Sequence, residues 1–268
     1  MMKIKALEKI SIHPKLSASL DLIMGVFFLF GLKSMLFSWW FVLIWIVLRG
    51  LWWFVLIFLT FYVRNIDKVK HLVFLNIFNI GLFTSLLFLE WNVSKLVLSV
   101  VLILGSSVSF YLLPDKNSVL SFVSKPYRRW LLMLTVAGMA GIFSSMGAIF
   151  IFKVFQVPQL VWILLASLLT AVVSILWWQM YGLNWDRKML NWGAVMFLII
   201  FEIAWVLSIT PIGFLIFGLI LVWLWYLLWL LVRFHLSSAG IIWKKQLPFL
   251  IINLILFLIF MLFIVQWI

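Results

Sequence analysis

The sequence predicts an all-α fold, a single-domain polytopic transmembrane bundle of about nine helices, and three observations carry that prediction. Apolar stretches of about twenty residues recur almost to the end of the 268-residue chain, each the length needed to cross a hydrocarbon core about 30 Å thick. The composition is 67% hydrophobic and 10% charged, with a mean hydropathy of +1.27. Soluble domains are only about 45–50% apolar, so a soluble globular protein is excluded. Finally, the gaps between stretches are alternately rich and poor in Lys and Arg, the pattern that orients helices across a membrane.

A basic tail, 1–15, carries Lys3, Lys5, Lys9 and Lys15 and precedes the first run, 17–32. Lys33 and a second run stand where a small-residue cleavage site would lie, so 17–32 reads as an uncleaved span and not as a signal peptide. The second run, 38–63, raises a choice of turn. Turning at Arg49-Gly50 would put Lys33 in lipid and leave only 51–63 to cross. Turning near 33–38 places Trp39 and Trp40 in the interfacial aromatic belt and carries Arg49 and Gly50 into the membrane, and that turn is the one expected; a broken or re-entrant helix is the alternative.

The remaining spans are 71–89, 96–113, 130–152, 159–181, 191–208, 212–232 and 247–267. Pro14, Pro114, Pro126, Pro158, Pro211 and Pro248 fall at or just outside span ends, where a missing N–H is tolerated. With nine spans, sixteen basic residues fall on one side: those of the tail, Arg64, Lys68, Lys70, Lys116, Lys125, Arg128, Arg129, Arg187, Lys188, Arg233, Lys244 and Lys245. The other side receives little beyond Lys95 and Lys153. The N-terminus is therefore expected in the cytoplasm and the C-terminus outside. The longest loop, Pro114 to Arg129, leaves no room for a soluble catalytic domain.

Candidate chemistry is sparse. Glu202 lies well inside the seventh span among Phe201, Ile203, Ala204 and Trp205. An acid there is costly unless paired or protonated, and such residues mark either function or helix packing. Arg49 is its expected partner, descending from the outer face as Glu202 rises toward it. Such a buried pair specifies which helices meet more than it adds net stability; the other reading of Arg49 is a turn or snorkelling residue. Asn76 and Asn79 share a face of the third span, extended by Glu90, and intramembrane amides either bond a neighbouring helix or line a path.

Ala137, Gly141 and Ser145 repeat every four residues in the fifth span, and Ser167, Thr170 and Ser174 form a small polar stripe in the sixth. Small residues at this spacing let helix backbones approach closely, so a tight hairpin of these two spans is expected. Of the eighteen tryptophans, Trp91, Trp130, Trp177, Trp178, Trp185, Trp192, Trp243 and Trp267 lie near span ends, as interfacial anchors do. Trp223, Trp225 and Trp229 run through the eighth span, facing lipid or packing. The cluster Lys125-Pro126-Tyr127-Arg128-Arg129 suits anionic headgroups, and topology alone also explains it.

No motif names an activity. Cysteine is absent, His13, His71 and His235 form no metal-spaced pair, and the other six acids, Glu8, Asp21, Asp67, Glu90, Asp115 and Asp186, are scattered. Neither a nucleophile elbow nor a phosphate-binding loop is present. The net charge of +13 is spread over several loops, which argues against a nucleic-acid partner, and no cofactor is expected.

The segments Leu75-Asn76-Ile77-Phe78-Asn79-Ile80 and Phe201-Glu202-Ile203-Ala204-Trp205, followed by Thr210-Pro211 and a terminal Trp267, resemble those of uncharacterised multi-pass membrane proteins of small-genome, candidate-phylum bacteria. The resemblance implies a bacterial cytoplasmic membrane and a helical bundle, and supplies no catalytic residue. The leading expectation is a non-enzymatic membrane component binding lipid or other membrane proteins. The alternative is a small transporter with Glu202, Arg49, Asn76 and Asn79 along a polar path, although no internal repeat of the kind common in transporters is visible. A lipid-modifying enzyme with a site assembled across helices is the third reading.

Overall fold

A computed structural model describes residues 12–34, 39–60, 68–113, 125–154, 156–237 and 240–264. Among these residues there are nine α-helices and no strand: α1 (Pro14–Ser34), α2 (Trp39–Thr60), α3 (Lys68–Phe88), α4 (Asn92–Tyr111), α5 (Lys125–Phe152), α6 (Gln159–Met180), α7 (Arg187–Ile209), α8 (Phe214–Leu236) and α9 (Trp243–Ile259). A π-helical turn, Phe260–Ile264, continues α9. Among the described residues, eight helices, α2 to α9, are long and apolar enough to cross a membrane. The chain is a multi-pass integral membrane protein. Its helices follow the apolar runs because lipid offers no partner for backbone N–H and C=O groups, which only a helix satisfies within one segment.

The break between the first two helices falls after Ser34, and α2 runs without interruption through Arg49-Gly50, in accord with the turn placed near 33–38. The tail lysines Lys3, Lys5 and Lys9, together with Arg64, Pro114, Lys116 and Trp267, lie outside the described residues, as do the side chains of Lys33, Trp39 and Trp40. Pro248 departs from expectation. The last helix starts at Trp243, four residues before the predicted span, so Pro248 sits inside it, close enough to its start that the lost hydrogen bond falls near the first turn.

The helices cluster into two compact units, Met1–Ile142 and Phe143–Ile268, with the boundary inside α5. In the first, α1 packs on α4, α2 on α3, and α3 on α4. Helix α2 turns one stripe inward, Trp45, Arg49, Trp53, Leu56, Ile57 and Thr60, while Leu48, Leu51 and Val55 are exposed; the four-residue spacing of the stripe is one face of a 3.6-residue helix. In the second unit α6 packs chiefly on α7, and α8 on α7 and α6. Trp177, Trp178, Trp225 and Trp229 fill its centre, each no more than 1% exposed. This corrects the reading of Trp177 and Trp178 as interfacial anchors. Trp178 Nε1 donates to the Trp229 carbonyl at 3.3 Å and Trp225 Nε1 to Ser174 Oγ at 2.9 Å, so one indole donor near a span end and one at mid-span are satisfied inside the bundle. Trp91, Trp185 and Trp243 remain exposed.

At the start of α7, the Asp186 side chain accepts from the Met189 N–H at 2.7 Å. This N-cap satisfies one of the donors a helix start leaves open. Asp186→Ala should lower stability by about 1 kcal/mol, read as a reduced unfolding midpoint in mixed micelles, with Asp186→Ser restoring most of it.

Candidate functional site

Polar side chains inside the first unit converge on Asp21. It lies on the inward stripe of α1 with Ser17, Ala18 and Gly25, all buried. From α2, Arg49 Nη2 stands 3.0 Å from Asp21 Oδ1, and both side chains are wholly inaccessible to solvent. Trp53, one turn further along α2, donates its indole N–H to Oδ1 at 2.9 Å. From α4, the Ser106 hydroxyl donates to Oδ2 at 2.6 Å and accepts from Arg49 Nη2 at 3.1 Å, while Ser107 donates to Oδ2 at 3.1 Å. The carboxylate thus receives four donors, about as many as its lone pairs accept.

The guanidinium is less completely served. Its Nε and Nη1 have no hydrogen-bond partner among the described residues, and its carbon lies 5.1 Å from the centre of the Trp53 ring, where a desolvated cation gains from the π face. Gly25 allows this placement, since a Cβ there would come within 3.3 Å of Arg49 Nη2 and 2.8 Å of Ile103. The expected Arg49–Glu202 pair is therefore replaced by Asp21–Arg49. The physical reason is proximity along the chain: α1 and α2 are separated by only four residues, and each carries one charge of opposite sign on its inward stripe. The signal was present in the sequence, as Asp21 falls inside the first apolar run; Ser106 and Ser107 likewise lie inside the fourth.

Asn79 is buried and accepts from Trp45 Nε1 at 3.3 Å, and Trp45 in turn stacks on Phe83 with centroids 5.0 Å apart. Asn76 is half-buried and donates to its own helix at Leu72 O, 2.9 Å away. It faces Gly50, where a Cβ would fall 2.9 Å from Asn76 Oδ1. Both amides thus sit at the α2–α3 contact, whereas Glu90 lies beyond the end of α3 and is exposed. On the same helix His71 is hydrogen-bonded through Nδ1 to the Tyr127 hydroxyl of α5, with both side chains buried. Within the basic cluster Tyr127 therefore points inward, while Lys125 and Arg129 are exposed.

The small-residue stripe of α5 packs against α3 and α8. Gly141 meets α3: a Cβ on it would fall 2.3 Å from Gly81 O, and Ser85 Oγ donates to Gly141 O at 3.2 Å. Gly138, and not the half-buried Ala137, completes this seam. Further along, Ser144 and Gly147 meet Gly218 and Phe217 of α8, and Ser145 is buried. Two helical faces of one small-residue run serve two different neighbours. Ser167, Thr170 and Ser174 are fully buried. Their hydroxyls donate to the carbonyls one turn back, at 2.6–2.8 Å, the usual way a lone hydroxyl is satisfied inside a transmembrane helix.

Glu202 is exposed. Helix α7 buries Met189, Gly193, Met196, Ile200 and Ala204 and leaves outward a second stripe, Asn191, Val195, Leu198, Glu202, Trp205 and Ile209, every member exposed. Its spacing alternates four and three, the register of a helix that packs along a partner helix. Glu202 lies about 10 Å short of Ile209 at 1.5 Å per residue, so the carboxyl is within the apolar span and not at its edge.

Among the described residues no group of three His, Asp or Glu side chains is placed to hold a metal ion. No protein-family model matches the chain, and no curated protein or solved structure matches it either.

Proposed function

We propose that the protein is a non-enzymatic component of a bacterial cytoplasmic membrane, with its N-terminus inside and its C-terminus outside, that binds a second membrane protein along α7. The observation that carries this reading is Glu202, exposed on a regularly spaced stripe between the apolar residues Val195, Leu198, Trp205 and Ile209. An acid at the centre of a span costs about 2.5–3.5 kcal/mol on insertion scales for the isolated helix. Packing a helix with a donor at the same depth removes that penalty, and the four-three spacing supplies the register. The orientation rests on the distribution of Lys and Arg, and the choice of membrane on the resemblance noted above. A transport path is less well supported, because Asp21 holds Arg49 in a closed network and Asn79 is committed to Trp45.

Glu202→Cys in this cysteine-free chain tests the reading. In native membranes the thiol should resist both a membrane-impermeant and a lipophilic maleimide, whereas purified protein in liposomes should react with the lipophilic reagent alone. Equal lipophilic labelling in both settings would remove the partner. Labelling by the impermeant reagent, there and at Asn76→Cys and Asn79→Cys, would establish a water-filled path in its place.

A further inference from the structure

The second unit carries a groove beside the outward α7 stripe, with which it shares Val195. It has a volume of about 250 Å³ and lies between the start of α7 and the end of α8, lined by Trp192, Met196, Ile199, Leu228 and Leu231, with Ile241 ahead of α9. Because α7 and α8 are consecutive and joined by a short turn, the first turns of α7 lie beside the last turns of α8. The contact of Trp192 with His235, centroids 5.1 Å apart, marks where they meet. The walls are hydrocarbon and indole, with His235 the one titratable side chain among them.

The residues that flank the groove's lining in sequence have the opposite character. Arg187 and Lys188 open α7 one turn before Trp192, and Lys244 follows Ile241 by three residues; all three are exposed. The nearby acid, Asp186, is engaged by the Met189 N–H. A basic rim over an apolar slot, with a tryptophan at the level between them, matches the layers of a lipid leaflet: chain, interface, phosphate.

We propose that this groove binds an anionic phospholipid, one acyl chain in the slot between α7 and α8 and the phosphate against Arg187, Lys188 and Lys244. A chain gains little by leaving bilayer hydrocarbon for groove hydrocarbon, since both are apolar. The preference for this lipid over others comes from the rim, where each basic residue near a membrane surface contributes attraction to an anionic headgroup. The groove fixes where that lipid sits. The groove meets the Glu202 stripe only at Val195, and the lipid is proposed whether or not a partner helix lies on the rest of that stripe.

Native mass spectrometry of delipidated full-length protein, titrated with phosphatidylglycerol and with phosphatidylcholine of the same chains, tests it. Wild type should retain one phosphatidylglycerol at least tenfold more tightly than phosphatidylcholine. Leu231→Trp and Ile199→Trp, which fill the slot, should each weaken phosphatidylglycerol at least tenfold with an unchanged circular-dichroism melt. The triple substitution Arg187→Gln, Lys188→Gln, Lys244→Gln should make the two lipids bind alike. Equal binding of both lipids by wild type would overturn the proposal, as would unaltered phosphatidylglycerol binding by folded slot-filling variants. Should those variants misfold, the triple variant decides, since its substitutions are all at exposed positions; a retained preference there overturns it.

Discussion

Asp21→Asn should destabilise the protein by about 3–5 kcal/mol, because it leaves the Arg49 guanidinium charged and uncompensated in a site with no access to water. Arg49 already lacks partners at Nε and Nη1, so the carboxylate is its principal compensation, and few groups nearby could take over. Arg49→Leu should be of similar size, stranding a carboxylate that retains only the donors of Trp53, Ser106 and Ser107. The double variant, Asp21→Asn with Arg49→Leu, should be distinctly more stable than the sum of the single effects predicts, since no unpaired charge remains. A double-mutant cycle of unfolding in mixed micelles measures this. Strict additivity would mean that the two residues do not act as a pair, whereas loss of the whole effect in Glu202→Gln would restore the partnership expected from sequence.

A second large effect is expected at Gly81→Ala. The new Cβ would lie 1.8 Å from the Gly138 carbonyl oxygen and equally close to no flexible group that could move aside, since the next two atoms are also Gly138 backbone, at 2.6 and 2.8 Å. Helices α3 and α5 would have to separate along the whole seam, weakening the Ser85–Gly141 hydrogen bond and the dispersion contacts that hold helices together where lipid removes the hydrophobic drive. Overpacking typically costs about 1–3 kcal/mol, and a backbone clash of this kind belongs at or above the upper end. Gly213→Ala is the matched control, because nothing lies within 4 Å of its added methyl; it should change stability by less than about 1 kcal/mol. Similar unfolding midpoints for the two variants would show that α3 and α5 are not in backbone contact.

Much of the fold was legible because the bilayer imposes a simple rule. Every apolar run of about twenty residues became a helix, with ends displaced by a few residues: 159–181 is seen as Gln159–Met180, and 191–208 as Arg187–Ile209. Helix partners were less legible. The small residues of 137–145 suggest one face for the next helix, yet 138 and 141 meet α3 while 144 and 147 meet α8, because each three-residue step turns a further ~60° around the axis and carries 147 to the side opposite 138. The tryptophans show the same limit. Nearness to a span end places Trp91 and Trp178 alike, but Trp91 stands exposed in the loop before α4 while Trp178 is buried and donates to Trp229.

The sequence by itself determined the class, the number of apolar runs and the presence of charges within them, because hydrophobicity and length suffice where every backbone polar group must be paired within its own segment. Only the tertiary structure decided which charge meets which. Arg49 and Glu202 were the conspicuous intramembrane charges, yet Asp21 takes Arg49, and Glu202 is left on an outward stripe. That choice depends on helix rotation and on close approaches at Gly25, Gly50 and Gly81, and these follow from packing among all the helices of a unit, not from the pattern along any one of them.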